Sequence, residues 1–213
     1  GVGEVCDSFR SPPLIILSIL IMALTTKLNA VNTMISVIGE APVNTLGGTA
    51  VPVSVVQAEA VLDETSRAVQ SEGWHFNTEH EYVLTPDAST SKINLPSNTL
   101  RVDLDPEIYT DSDPVQRGLL LYDRKNHTDV WTKEVKASIT FELAFTDMPE
   151  QFRHYITVKA ARIFANRFLG SREIEGFALR DEIEAKARAI DSDSENADRT
   201  IFDHYSVLRV LDR

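Results

Sequence analysis

The chain has 213 residues, 43% hydrophobic and 8% aromatic, with 21 basic against 32 acidic side chains and a formal net charge of -11. At roughly 150 residues per domain this length fits one domain, or one carrying a substantial insertion, and the apolar fraction excludes wholesale disorder. The acidic balance argues against a duplex-DNA binder built on phosphate neutralisation, and the single cysteine, Cys6, excludes an internal disulfide framework or a cysteine zinc cluster.

The apolar run Leu14–Leu24 comes first. It is about half the ~20 residues that a membrane-spanning helix needs, so no stable membrane insertion is expected. As a signal peptide it lacks a basic leading region, because Glu4 and Asp7 outnumber Arg10, and Pro12 and Pro13 interrupt the approach. Composition shifts sharply at Met22, which offers a third reading, that residues 1–21 precede the true start. A buried or partner-docked segment is the fourth. Residues 1–24 are therefore set apart as an apolar extension.

From Thr26 to Gly39 the apolar residues Leu28, Val31, Ile35 and Ile38 recur at three- and four-residue steps. This spacing predicts a one-faced helix capped by Thr25 or Thr26 and ended by Gly39. A Pro- and Gly-rich loop follows, and Ser54 with Gln57 forms a capping-box pattern opening a second helix to about Glu72. Val55, Ala58, Leu62, Thr65 and Val69 line one face of it, with Gly73 as its left-handed stop. From Thr78 to about Phe145 come short β-branched and aromatic runs separated by turn signals: EYVLTP, KINLP, TLRVDL, GLLLYD, DVWTK and ASITFELAF. They predict five or six strands, with Asp123–Asn126 as a hairpin connection between Leu119–Tyr122 and Val130–Trp131.

Helical chemistry then returns. Asp147 and Glu150 have capping-box spacing with Pro149 in the first turn, and the helix bearing Phe152, Ile156, Ile163 and Phe168 stops at Gly170. Ser171 is expected to cap a charged helix reaching about Asp191, in which Glu175/Arg180, Arg180/Glu184 and Glu184/Arg188 stand at near-helical spacing. The polar stretch from Ser192 leads into YSVLRVL, which has strand character. The predicted class is α+β. A helical bundle built from two helix pairs (25–77 and 147–191) carries an inserted antiparallel β domain (78–146), and a C-terminal arm (192–213) follows.

Chemistry-bearing motifs are absent. Gly47–Gly48 lacks the Lys-Ser/Thr of a phosphate loop, and no Gly-x-Ser-x-Gly elbow occurs. His75 and His80 are five apart and miss zinc-helix spacing, so no metal and no cofactor is expected. The acidic runs Asp103–Asp113 and Asp191–Glu195 lack the register of a calcium loop and read as solvated loops. A carboxylate pair for glycoside hydrolysis always exists among 32 acids, so such a pair discriminates nothing. In the most distinctive segment, Gly73 ends a helix, Trp74 and Phe76 anchor the turn, and Asn77 completes the motif; a contact between subunits is the alternative.

Several collinear blocks, AVNTMISVIGEAPVNTL, QSEGWHFN, YVLTPD, DMPEQFRHYI and ARIFANRFLGSREIEG, resemble tail tubular protein A of short-tailed (podovirus) phages. The likeness spans about Leu28 to Ala189 and is weakest over Ser91–Lys136. Its more specific pieces are Gly73-Trp74-x-Phe76-Asn77 and Asn166-Arg167-Phe168-x-Gly170 with Glu173, Glu175 and Gly176. The family pattern starts close to Met22. The resemblance implies a virion protein assembled in the host cytoplasm. Its expected role is a tail adaptor forming a twelve-fold ring between portal and nozzle, with DNA passing through the lumen without sequence-specific binding. Its implied partners are further copies of itself, the portal protein and the nozzle protein (tail tubular protein B). The implied fold is a helical bundle with an inserted β domain, and no catalytic residues are implied. Within this frame, Thr200–Arg213 is a candidate docking arm carrying Phe202, Tyr205, Val207 and Leu208. Part of the acidic excess is expected to face the channel, where it would repel phosphate. A tail-associated polysaccharide- or peptidoglycan-degrading hydrolase and a host-surface binding module are the alternatives.

Overall fold

The computed structural model describes residues 24–48, 51–105, 108–170 and 172–197, without the side chains of 169 and 172–177. The expected extension before Leu24, the Ser171 cap, the side chains of Glu173 and Glu175, and the docking-arm residues Phe202, Tyr205, Val207 and Leu208 lie outside the described residues.

Helix α1 (Lys27–Val37) begins where expected, since the Thr26 hydroxyl accepts the Asn29 N–H at 3.2 Å. Its buried stripe is Ala30, Val31, Met34 and Ile35, whereas Leu28 and Ile38 are only half-buried. The following loop is strapped back onto α1 by Asn32, whose amide donates to Val43 O and accepts Val43 N–H, both at 2.9 Å.

Helix α2 (Val53–Gln70) buries Val55, Ala58, Leu62, Thr65 and Val69, the predicted face. Its predicted capping box does not form. Pro52 occupies the cap position with no side-chain bond to the helix end, and the Ser54 hydroxyl donates to Glu40 instead. Proline suits this boundary because its fixed φ and missing donor cost little where an N–H has no helical partner.

The β module has five strands: β1 (Thr78–Leu84), β2 (Thr99–Leu104), β3 (Pro114–Arg117), β4 (Leu120–Asp123) and β5 (Val135–Phe141). β5 is the centre of an antiparallel sheet ordered β1-β5-β2, and β3 pairs with β4 as a separate hairpin. This arrangement corrects the predicted hairpin. The Asp123–Asn126 turn exists, but β4 pairs backward onto β3 across Gly118–Leu119. KINLP and DVWTK contribute only isolated bridges, Lys92 to Val130 and Asn94 to Leu120. The other edge of β4 is taken by KINLP, with Leu121 N–H donating to Ile93 O at 3.1 Å and Leu95 N–H to Leu119 O at 2.9 Å, so Trp131 reaches β4 only through its indole, which donates to Leu121 O at 3.0 Å.

Helix α3 (Glu150–Leu169) buries Phe152, Tyr155, Ile156, Ala160 and Phe164; Ile163 is half-buried and Phe168 is 46% exposed. The predicted Asp147–Glu150 box is also absent. Pro149 caps the helix, and the Glu150 carboxylate instead receives the N–H of Thr25 (2.9 Å) and its hydroxyl. Helix α4 (Arg172–Asn196) runs past the predicted end at Asp191. The run Asp191–Glu195 is therefore helical, and Asp193 is buried, which overturns its reading as a solvated loop.

Two apolar cores result. One joins α1, α2 and α3 with Ala185 and Ala189 of α4; the other fills the β module around Leu84, Ile93, Leu121, Ile139 and Phe141. Leu143, just after β5, packs against both. The fold is thus α+β, with the β region inserted between two helix pairs.

Candidate functional site: the joint between bundle and β module

Where α2 ends, its last carbonyls must find donors outside the helix. The segment Gly73-Trp74-His75-Phe76-Asn77 supplies them. Gly73, at φ +79, donates its N–H to Gln70 O at 3.1 Å, the Trp74 indole donates to Val69 O at 2.8 Å, and the Asn77 amide donates to Gln70 O at 3.0 Å. The positive φ is the reason a glycine stands there.

Asn77 sits at the end of a single 3₁₀ turn (His75–Asn77) and is buried. Its second amide hydrogen goes to Phe141 O at 2.9 Å, and its oxygen accepts the Trp74 N–H at 2.9 Å. The orientation of this amide follows from its neighbours, since the nitrogen faces only carbonyls and the oxygen faces an N–H. Gln70 works beside it. Its oxygen accepts the Leu143 N–H at 2.7 Å, and its nitrogen donates to Leu143 O and the Ser66 hydroxyl, both at 3.1 Å. Two buried amides therefore grip the backbone of β5 and its exit at residues 141 and 143.

The same segment reaches the other helices. Phe152 of α3 lies against both Trp74 (centroids 4.9 Å) and Phe76 (4.5 Å). The buried Asp193 carboxylate of α4 accepts the His75 N–H at 2.8 Å. One five-residue motif thus contacts α2, α3, α4 and β5. Fully satisfied buried polar networks of this kind set a single geometry, because any displacement leaves a desolvated group unpaired.

A second clamp fixes the start of α1. The nearly buried Arg153 donates to three carbonyls, Met148 O at 2.7 Å, Thr25 O at 3.1 Å and Thr146 O. With Glu150 taking the Thr25 N–H and hydroxyl, Thr25 is held from both sides. Lys27 then pairs with Glu59 (2.8 Å) and Asp63 (2.9 Å) of α2. Burial opposes its charge, but those carboxylates outweigh burial and hold Lys27 above its ordinary pKa. Burial likewise pushes the Tyr155 hydroxyl up, inside the α3–α4 seam where Arg162 pairs with Glu182.

The remaining predicted residues sit at the far end of α3. Arg167 reaches Glu64 of α2 at 3.2 Å on the exposed surface, Phe168 leans on Phe164 at 4.6 Å, and Gly170 ends the helix at φ +61, donating to Asn166 O at 3.1 Å. They are not brought together with Gly73–Asn77. Sequence reasoning missed Gln70 and Arg153, and it gave Glu150 and Asp193 other roles, a capping box and a solvated loop. For Gln70 a signal existed: it falls on the apolar stripe of α2 one turn after Ser66, where a polar side chain must find buried partners.

Beside the joint, the outer face of β1-β5-β2 opens a groove of about 420 Å³. His80, Ser138, Thr140, Arg101 and Asp103 line it; His80 Nδ1 meets the Ser138 hydroxyl at 3.0 Å, and Arg101 pairs with Asp103 at 3.4 Å. Among the described residues no group of three or more His, Cys, Asp or Glu side chains is placed to hold a metal ion, and no helix is long and apolar enough to cross a membrane.

No curated protein matches the sequence. The family model for the tail tubular protein matches residues 28–199, which contain every described helix and strand but the first residue of α1. The chain belongs to the tail tubular protein family and is a structural component of the phage tail.

Proposed function

We propose that the chain is the adaptor subunit of a short phage tail, twelve copies of which form a ring between portal and nozzle around the path of the DNA. The observation that carries this reading is the family match over residues 28–199. The joint supports it mechanically. A subunit that transmits position from one ring to the next needs its two modules held at a fixed angle, and the Gln70–Asn77 clamp supplies such a hold. The partners are further copies of the chain, the portal protein and the nozzle protein (tail tubular protein B), with assembly in the host cytoplasm before the virion is complete.

Net charge bears on the lumen. At -11 the subunit repels phosphate over most approaches, so DNA slides past a wall that does not hold it. The joint motif and the Asn166–Gly170 turn act as packing and positioning elements at or near subunit contacts, and Thr200–Arg213 docks the portal. Electron microscopy of the chain mixed with portal tests the reading: a twelve-fold ring is expected. A ring whose lumen is dominated by Lys and Arg contradicts the channel assignment. Deletion of residues 200–213 should abolish portal binding while leaving the thermal unfolding of the subunit unchanged; undiminished binding counts against the arm.

A further inference from the structure

Helix α4 is fastened to the molecule by charge. Glu182 pairs with Arg162 of α3, and their side chains are only 13% and 20% exposed. Lys186 reaches Glu72, just past α2, at 3.5 Å, and the buried Asp193 carboxylate accepts the His75 N–H at 2.8 Å. Each of the three contacts ends on a different part of the chain. Glu182, Lys186 and Asp193 stand within about 100° of one another on the helix, and Ala185 and Ala189 are buried on the same face. Among the described side chains of α4, no apolar group larger than an alanine methyl is buried, and Leu179, Ile183 and Ile190 are exposed.

The other helices are held differently. α1 buries Met34 and Ile35, α2 buries Leu62 and Val69, and α3 buries Phe152 and Ile156, large side chains that interlock in the core. The clamp at the joint also stands apart from α4. Gln70 and Asn77 bond to α2, to Trp74 and to the backbone of residues 141 and 143, so the clamp keeps these partners when α4 leaves.

We infer that α4 is a strap, which opens from the bundle as one unit while α1–α3, the joint and the β module stay folded. Local opening is easiest where few apolar contacts are lost. The charges that hold α4 shut regain water when it swings away, which offsets much of the lost attraction. Opening parts Glu182 from Arg162 and takes the Asp193 acceptor from His75. The subunit thereby gains a second shape without loosening its joint. The motion is a fluctuation of the native state, distinct from the main unfolding transition.

Hydrogen exchange of the full chain, read by NMR, tests this. Amides of residues 182–193 should be at least about tenfold less protected than those of residues 155–165 of α3. Protection should also be alike for the inward Ala185 and Ala189 and the outward Ile183 and Ile190, because the helix opens as one piece. Protection of α4 within about tenfold of α3 overturns the inference, since α4 then opens only when the bundle unfolds. So does protection that merely fades toward the C-terminus, the pattern of a fraying end. Glu182→Gln removes a charge contact that only the closed state makes, and it should lower α4 protection about tenfold with α3 unchanged. Asp193→Ala should act alike, and Asp193→Asn less, because an amide oxygen still accepts the His75 N–H. A loss shared equally by α3 and α4, or no loss in any of these variants, overturns the inference too.

Discussion

Asn77 spends every hydrogen-bonding group of its side chain on backbone, two donors to carbonyls and one acceptor to an N–H. Asn77→Asp keeps the shape but turns a carboxylate oxygen toward Gln70 O and Phe141 O. The expected cost at neutral pH is about 3 kcal/mol, the scale of a buried group left facing the wrong partners, and it should shrink as the introduced carboxyl protonates. Urea midpoints at pH 7 and pH 4 check both parts. Two native carboxylates give an opposite signature. Burial pushes Asp123 up, but the Asn126 amide and the N–H groups of Asp113, Asn126 and Lys125 outweigh it and hold the group below its ordinary 3.8. Asp87, fully exposed, is lowered to about 2 by the Ser89 hydroxyl first, then by the N–H groups of Thr90 and Ser89. A carboxyl depressed by folding stabilises the fold above its unfolded pKa, and that contribution is lost as pH falls through the folded value. The Asp87 turn should therefore persist below pH 3.8 and open toward about pH 2, measurable as the titration of its carboxyl carbon by NMR.

At the scale of elements, the helix ends separate local signals from tertiary ones. Gly170 at φ +61 has no neighbour within 4 Å of a would-be Cβ. Gly170→Ala should thus cost only the backbone term, about 1–2 kcal/mol, and Gly170→Asn less, since asparagine tolerates that conformation; thermal denaturation of the two variants ranks them. Stops of this kind were legible because a left-handed residue is demanded by the chain itself. The starts of α2 and α3 were not. Ser54 and Glu150 have the right residue types at the right spacing, yet Glu40 and Thr25, distant in sequence, compete for them and win. The β4 strand stands where expected, but its pairing is decided in the same way, as β3 precedes it on one edge and Ile93 and Leu95 bond to the other.

At the scale of the molecule, two cores meet through Leu143 and the two buried amides. The intact chain should unfold in one transition, because loss of either core strands polar groups of the joint. Replacing both Gln70 and Asn77 by Leu removes that coupling. Near- and far-ultraviolet signals should then give separate midpoints, and coincident midpoints would place the coupling in Leu143 instead. The same clamp bears on the proposed ring assembly, since a subunit whose modules hinge freely cannot present its surfaces at a fixed angle.

The helix periodicities, the glycine stops and the acidic excess are properties of neighbouring residues or of bulk composition, so the sequence alone determined the α+β class and the insertion of the β region between two helix pairs. Contacts between residues far apart in the chain are decided by geometry that no local window contains. Only the tertiary structure revealed that Gln70 and Asn77 clamp β5, that Arg153 gathers three carbonyls, and that Asp193 belongs to the joint. The outward aliphatic stripe of α4 is the sharpest case. Its periodicity says that one face is apolar, but which face the bundle buries depends on α3, and α3 takes the alanines.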